Sequence, residues 1–288
     1  MKKILALGIS LALASVAIAG PKEVNGHWVN EHPSKNNPEL NSGKGAPAKG
    51  GRVTLLTYQG GEVLYAAKVV PIYWGAYWGS GTGATERATM NGFYQQFGTN
   101  SHYGVITQYY DTVTGGTRYI GLSTLLNSGG DWYDSSAPPK NVTDSVVQGE
   151  VNKYLSSHTF DNEAIYEVFI PPTSYSSDGS STSCGGPKLA YCAYHGSYSS
   201  GGHSIKYSIE PYPNCSGCQA TGFSAVQNAQ HFACHETREA VTDPVNAWWD
   251  TRTGYEADDK CAWSPAPFVD GGYGYQYEWS NAAKGCVK

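Results

Sequence analysis

The placement of the cysteines constrains the fold of this chain more than any other feature of its sequence. All seven lie in the C-terminal 105 residues, at Cys184, Cys192, Cys215, Cys218, Cys234, Cys261 and Cys286. In an exported protein the compartment oxidises thiols, so we interpret the set first as structural disulfides that staple an irregular C-terminal lobe. Because the number is odd, one thiol is left over.

Short spacing favours pairing of Cys184 with Cys192, and of Cys261 with Cys286. The Cys-x-x-Cys pair at 215–218 either closes on itself or supplies two separate bridges. A zinc ribbon built on this pair is the alternative, and an oxidising compartment favours disulfides over it. The connectivity itself cannot be deduced from sequence.

The first nineteen residues have the pattern of a signal peptide. Lys2 and Lys3 precede an uncharged apolar run from Ile4 to Ala19, which closes with small residues. We predict export, to the periplasm or out of the cell, with cleavage after Ala19. The run is short for a membrane anchor, which needs about 20 apolar residues, and no second run is long enough to span a bilayer.

Charge excludes one class of partner. After removal of the first nineteen residues, 17 lysines and arginines stand against 24 aspartates and glutamates, a net charge of −7. Nucleic acid is not an expected partner, because binding phosphates needs clustered Lys and Arg. An apolar fraction of 40% argues against disorder, and abundant Gly, Tyr and Trp with only 15% charged residues argue against a helical bundle.

Residues 20–50 are rich in Gly, Pro, Asn and Lys and lack apolar periodicity, which predicts a linker or a pro-segment. We expect one folded domain over residues 51–288. Its first part shows five alternating strand and helix patterns: a strand at 63–74, a helix at 85–97, a strand at 103–111, a helix from Thr143 to Leu155 and a strand at 164–170. This order indicates an α/β (α+β) fold, a mixed sheet with helical cover. Residues 174–212 are the expected stapled lobe, with a short strand at 204–209.

The most regular helical pattern runs over residues 223–242 and ends before Pro244. Within it, His235 and Glu239 are four residues apart and share a face, with Glu236 about 100° further round. Two donors at this pitch and a third from elsewhere can hold a divalent metal ion and leave a position for water. Glu236 is the candidate catalytic base that takes a proton from that water.

The third donor is expected downstream of the helix, with Glu256 as the leading candidate and Asp259 as the alternative. We expect one zinc ion, since H-E-x-x-E is related to the H-E-x-x-H pattern of zinc peptidases, although a second carboxylate ligand weakens the Lewis acidity of the metal. Calcium is the other ion considered, but the acidic residues lack the spacing of a calcium loop. Without a metal, Glu236 and Glu239 would flank Arg238 on a solvated helix face.

Four more side chains have open roles. His231 is a fourth donor or a core histidine, and Asp243 orients a ligand or is a turn residue at the end of the helix. For His195 and His203 the sequence leaves two roles open: each histidine donates a hydrogen bond to a developing oxyanion, or each is a structural residue.

Two resemblances to known families support the metal site. HETREAVTD is similar to the HExxHAVTD stretch of thermolysin-type metallopeptidases, in which a glutamate on a later segment completes the site. More widely, GGEVLYAAKVVPIYWG, VTDSVVQGEVNKYL, EAIYEVFIPP, CAYHG, NCSGC, HETREAVTDP, GYEADDKCAW and YEWSNAAKGC resemble the bacterial branch of the exordium, or phosphate-induced protein, family in order and spacing over most of residues 60–286.

Bacterial members of that family tend to show HE-x-x-E followed by GE-x-x-D-x-C, which here is YEADDKC. The resemblance therefore implies functional positions at His235, Glu236, Glu239, Glu256 and Asp259. Plant members are secreted, cell-wall-associated proteins linked to growth, and they lack the H-E-x-x-E. The resemblance does not imply a particular biochemical activity.

The sequence thus predicts a single zincin-like domain with a mixed sheet, an active-site helix and a disulfide-stapled lobe. Its predicted function is that of a secreted zinc-dependent hydrolase, a metallopeptidase acting on a peptide or protein substrate. The alternative is a non-catalytic extracellular or cell-surface protein that uses its aromatic residues to bind a glycan or a protein partner.

Overall fold

A seven-stranded mixed sheet organises the protein in a computed structural model, which describes residues 21–37 and 53–288. The strands are β1 (Lys22–Val24), β2 (His27–Pro33), β3 (Lys68–Trp74), β4 (Trp132–Asp134), β5 (Ala164–Ile170), β6 (Tyr191–Ser200) and β7 (His203–Pro211). Their order across the sheet is β1-β2-β6-β7-β5-β3-β4. The last four strands in this order are mutually parallel, whereas β1, β2, β6 and β7 are joined antiparallel.

Within the described residues, four helices accompany the sheet: α1 (Gly81–Phe97), α2 (Ser101–Gly104), α3 (Asp144–Leu155) and α4 (Ala225–Thr242). Alternate residues of β5 point to opposite faces, as the pleat requires. Ile165 and Phe169 join a core with α1 and α4, while Tyr166 and Val168 join a second core with α3. The expected mixed α/β architecture is confirmed, with helices covering both faces of the sheet.

The remaining strands form short pairs: Thr57–Tyr58 with Trp248–Trp249, Tyr110–Asp111 with Arg118–Tyr119, Asn141–Thr143 with Tyr175–Ser177, Phe268–Asp270 with Tyr273–Tyr275, and Glu278–Ser280 with Gly285–Val287. Short 3-10 segments lie at Ala76–Gly79, Val105–Gln108, Ser216–Cys218 and Asp259–Cys261. Within the described residues, no helix combines the length and the apolarity needed to cross a bilayer.

Helix α4 begins and ends where the sequence predicts. The Ser224 side chain accepts a hydrogen bond from the backbone N–H of Gln227, and the Gln227 side chain accepts one from the N–H of Ser224, a reciprocal capping box. Pro244 follows the last residue of the C-terminal cap. From Gln230 to Thr242 every side chain is buried, so the solvated face considered for this helix is not present.

The prediction that residues 20–50 are a linker or a pro-segment outside the folded domain is wrong for 22–33, where β1 and β2 lie at one edge of the main sheet. Strand β2 pairs with β6, and its Asn30, Glu31 and His32 are all buried. A strand that buries polar side chains lacks the apolar alternation by which strands are recognised. The predicted signal peptide, residues 1–19, and residues 38–50 lie outside the described residues.

Two further predictions of local structure are wrong. Residues 103–111 form the end of α2, a 3-10 segment and only a two-residue strand, because the Asn100 side chain accepts hydrogen bonds from the N–H groups of His102 and Tyr103 and starts a helical turn. The segment 174–212 is not an irregular lobe, since it contains β6 and β7, a hairpin inside the main sheet.

Three disulfides join Cys184 to Cys215, Cys192 to Cys218 and Cys261 to Cys286, and Cys234 is a buried free thiol. The pair 261–286 and the separate bridges of the Cys-x-x-Cys are confirmed, and the predicted pair 184–192 is wrong. Cys192 lies in β6, so its bridge to Cys218 holds the 3-10 segment at 216–218 against the sheet, and the bridge from Cys184 to Cys215 ties the start of that segment to the loop before β6. With both sulfurs in disulfides, the Cys-x-x-Cys does not form a zinc ribbon.

Candidate metal centre

Polar side chains from three parts of the chain meet beneath strands β2 and β6, near one edge of the sheet. Helix α4 supplies His235, Glu236 and Glu239, and strand β6 supplies His195. Glu256 lies in the loop before the 3-10 segment at 259–261, and Asp259 is the first residue of that segment. All six side chains are buried. The bridge from Cys261 to Cys286 anchors this segment. All five residues predicted for the site therefore lie in one cluster, together with His195.

His235 is oriented by an amide oxygen. Its Nδ1 lies 3.4 Å from Oε1 of Gln276, an oxygen that also faces His32 and His231. The Gln276 amide nitrogen donates to the backbone oxygen of Asp258 at 2.8 Å, so the orientation of the amide is fixed. We therefore assign the proton of His235 to Nδ1, which leaves the lone pair of Nε2 facing the carboxylates.

Two carboxylates lie close to this lone pair. Nε2 of His235 is 3.0 Å from Oε2 of Glu239 and 3.8 Å from Oδ1 of Asp259. Glu256, the leading candidate for the third ligand, is not within 4.0 Å of His235. Asp259 is therefore the downstream carboxylate that lies nearer to His235.

His195 repeats this arrangement on the other side of Glu239. Its Nδ1 is 3.0 Å from Oε2 of Glu236 and 3.7 Å from Oε2 of Glu239. Its Nε2 is 3.6 Å from Oε2 of Glu256. A carboxylate on Nδ1 fixes the tautomer of an imidazole and leaves Nε2 as the atom able to bind a metal ion.

Asn30 and a backbone amide hold the carboxylates in place. Nδ2 of Asn30 donates to Oε2 of Glu239 at 2.9 Å and to Oδ2 of Asp259 at 3.2 Å. The N–H of Asp259 donates to Oε1 of Glu239 at 2.8 Å. Asn30 can reach both because it is the direct partner of His195 in the pairing of β2 with β6.

Several atoms of the cluster that could bind a metal ion are fully buried and make no hydrogen bond. They are Nε2 of His235, Oε1 of Glu236, Oε2 of Glu256 and Oδ1 of Asp259. An unsatisfied buried polar group costs about 1–3 kcal/mol, so four in one place require a physical reason. Zinc ligands at 2.0–2.1 Å from the ion lie about 3.3 Å from one another in a tetrahedron. The observed separations of 3.0–3.8 Å between imidazole nitrogens and carboxylate oxygens fit such a site.

The electrostatics also favour a cation. Burial raises the pKa of Glu236, Glu239, Glu256 and Asp259 well above the usual range, and neighbouring carboxylates raise each of them further. Burial lowers the pKa of His195 to about 3, so its imidazole is neutral, as metal binding requires.

No basic side chain compensates these four carboxylates. Within residues 21–37 and 53–288, no lysine or arginine forms an ion pair with any of them. The charge of Arg238 lowers the pKa of Glu239 to some extent, but its guanidinium is paired with Asp258 and, at 2.7 Å, with Oε2 of Glu278. The cluster is therefore a site where a metal ion would supply the missing positive charge.

A cleft of about 460 Å³ opens above the cluster. His195 and Glu256 lie at its floor, whereas His235, Glu236 and Glu239 lie beneath it. Its walls include apolar side chains at Trp28, Val29, Pro244, Val245 and Trp249. A substrate in this cleft would contact the cluster from the side of His195 and Glu256.

The other sequence candidates lie outside the donor set. His231 is buried against His32, Phe232 and Trp263, which is the core role considered for it. Asp243 lines the cleft and accepts a hydrogen bond from the backbone of Ala247, while the ring of His203 stacks on Phe160.

Three residues of the site were missed or left open by sequence reasoning. Asn30 and Gln276 lie in segments without a recognisable motif, and the sequence predicts His195 as an oxyanion donor or a structural residue but not as a metal ligand. The pairing of β2 with β6 brings Asn30 and His195 together. No local pattern in the sequence predicts a pairing between positions so far apart.

Comparisons of the chain with models of protein families, with curated proteins and with solved structures found no match. Membership of the exordium family therefore stays a prediction. The function has to be inferred from the geometry of the site.

Proposed function

We propose that the protein is a secreted zinc-dependent hydrolase, a metallopeptidase with two of its metal ligands and its catalytic base on α4. One observation carries this proposal: buried imidazole and carboxylate donors without hydrogen bonds lie at the separations of metal ligands, directly beneath a cleft. Structural metal sites are usually enclosed, and catalytic sites keep one side open to substrate. The cleft favours the second type.

His235, Glu239 and Asp259 are the proposed ligands, with Asn30 orienting both carboxylates. A zinc ion held there would polarise the carbonyl group of a substrate and ease deprotonation of a water molecule. Glu236 is the proposed general base, because its Oε1 is unpartnered and one of its oxygens lies within 4.8 Å of donor atoms of both His235 and Glu239.

A peptide is the proposed substrate. The cleft has apolar walls that suit aliphatic and aromatic side chains, among them Trp28 and Trp249. The lining also includes His195 and Glu256 of the cluster, which a peptide bound in the cleft would meet. Secretion is part of the proposal, and three disulfides support it because such bonds persist in oxidising compartments.

The test is hydrolysis of a peptide library, followed by mass spectrometry. We expect cleavage that a chelator abolishes and added zinc restores. Glu236→Gln should lower the rate at least 100-fold while the zinc content stays unchanged, since a general base contributes about 10²–10⁴-fold. His203→Ala, a change remote from the donors, serves as the control. Cleavage that survives Glu236→Gln, or complete removal of metal, would contradict the proposal.

A second candidate function is binding of a glycan without catalysis. It is favoured by Trp28, whose side chain is 63% exposed at the rim of the cleft, since exposed indole rings can stack on sugars. Glycan binding that persists after chelation and in His235→Ala would support this function over hydrolysis.

A further inference from the structure

The donors of the cluster form two groups that share one residue. His235, Glu236 and Glu239 form one group, and His195, Glu239 and Glu256 form the other; in each, one donor atom per residue lies within 4.8 Å of the others. Oε2 of Glu239 is 3.0 Å from Nε2 of His235, and it is 3.7 Å from Nδ1 of His195, the ring nitrogen that donates to Glu236.

We propose that the centre binds two divalent ions and that Glu239 bridges them. The proposal rests on the proposed function for the first ion, held by His235, Glu239 and Asp259. It adds a second ion held by His195, Glu256 and the shared Glu239. Both downstream acidic residues then have a role, each at a different ion.

The orientation of His195 supports the second ion. Glu236 accepts a hydrogen bond from Nδ1–H of His195, which directs the lone pair of Nε2 toward Oε2 of Glu256 at 3.6 Å. Two lone pairs that face each other without a proton between them repel, whereas a cation between them binds both. The same facing pair occurs at Nε2 of His235 and Oε2 of Glu239.

The unpaired oxygen of Glu256 also favours a second ion beside His195. Glu256 is only 5% exposed, and its Oε2 makes no hydrogen bond. An ion at His235 satisfies Oδ1 of Asp259 and leaves this oxygen without a partner. An ion between Glu256 and His195 satisfies it.

The number of carboxylates in the cluster is compatible with a second ion. Glu236, Glu239, Glu256 and Asp259 carry four negative charges when ionised, and within the described part of the chain no lysine or arginine forms an ion pair with them. One divalent ion offsets two of these charges, and two ions offset all four. Hydrolases with two metals usually hold them about 3.5–4 Å apart, with shared carboxylates between them.

The second ion would lie nearer to the cleft than the first. His195 and Glu256 line the floor of the cleft, whereas His235 is enclosed. An oxygen of the substrate, such as an amide carbonyl, is the ligand that this ion would accept from the cleft.

The experiment is a zinc titration of chelator-treated, full-length mature protein by equilibrium dialysis, with zinc per chain measured by elemental mass spectrometry. We expect two zinc ions in the wild type and one in both Glu256→Gln and His195→Ala. Glu256→Gln preserves the shape of the side chain, and circular dichroism checks that each variant folds. His203→Ala is the matched control and should keep two ions.

The outcomes separate the two proposals. A single ion in the wild type would overturn the second ion and leave the proposed function standing. Two ions that persist in both Glu256→Gln and His195→Ala would mean that the second ion is bound elsewhere, which also overturns the inference. No zinc in the folded wild type would overturn the metal centre and the proposed function together.

Discussion

Replacing Asn30 with alanine should weaken zinc binding while the protein still folds. Nδ2 of Asn30 donates to Glu239 at 2.9 Å and to Asp259 at 3.2 Å, and both acceptors are proposed ligands. Burial raises the pKa of both carboxyls, so their ionised forms, which bind a metal ion, are destabilised unless a donor or a cation lies beside them. The two hydrogen bonds therefore stabilise the zinc-bound form more than the free form.

The size of the effect follows from these bonds. A hydrogen bond to a charged group contributes about 1.5–3 kcal/mol, and 1.4 kcal/mol is tenfold in affinity. Since alanine removes both donors but the neighbouring backbone N–H of Asp259 still holds Glu239 at 2.8 Å, we expect the loss to correspond to about one such bond. Zinc affinity should fall about 10–100-fold, the range found for residues that orient metal ligands.

The assay is competition for zinc against a chromophoric chelator of known affinity, with wild type, Asn30→Ala and Asn214→Ala compared in parallel. Asn214 is a suitable control because its side chain makes only a surface hydrogen bond, at 3.4 Å to Pro172 O. Unchanged affinity in a folded Asn30→Ala variant would refute the role of β2 in orienting the ligands.

Three further predictions concern the fold. Changing Cys192 and Cys218 together to serine should lower the free energy of unfolding in urea by about 3.5 kcal/mol, the loop-closure value for a bridge across 26 positions; no loss would contradict it. Native Cys234 should resist a thiol reagent at pH 8 and react once per chain after unfolding, because burial raises its pKa to about 12; rapid labelling of the native protein would contradict this. Burial and the neighbouring Asp134 raise the pKa of Glu150 from 4.5 to about 8, so its ionisation destabilises the fold as pH rises through that window. Glu150→Gln should therefore gain stability relative to wild type between about pH 5 and 8 in urea unfolding, and a constant difference across that range would count against it.

Prediction from sequence succeeds where a local pattern coincides with burial on one face. Helix α3 begins after Thr143 and ends at Leu155 as predicted, because its apolar stripe packs on the sheet and its polar face is exposed. The strand Ala164–Ile170 also has its predicted bounds, since apolar residues fill both of its faces. In these elements the local pattern and the tertiary environment agree.

Prediction from sequence fails where the buried residues of an element are polar because they contact the site. Strand β2, with the sequence HWVNEHP, has the composition of a linker, yet Asn30 and Glu31 are fully enclosed. Their environment is set by β6 and α4, which lie more than 160 positions away in sequence. A hydrophobic pattern cannot reveal a strand whose buried partners are charged.

Within the site, the helical pitch alone predicts that His235 and Glu239 share a face, because i and i+4 positions always do, and that Glu236 lies about 100° further round. The downstream ligands follow from no such rule. Distances of 3.8 Å from His235 to Asp259 and 3.6 Å from His195 to Glu256 depend on how the loop after α4 returns to the sheet. Only the folded chain assigns Asp259 and Glu256 to different imidazoles.

The most direct test of the metal centre is elemental mass spectrometry of purified mature protein dialysed against zinc, with Glu239→Ala measured beside it. Glu239 lies between both imidazoles, so we expect at least one zinc ion per wild-type chain and none retained in the variant. A folded wild-type protein that binds no zinc, or a Glu239→Ala variant with the zinc content of the wild type, would contradict the proposed centre.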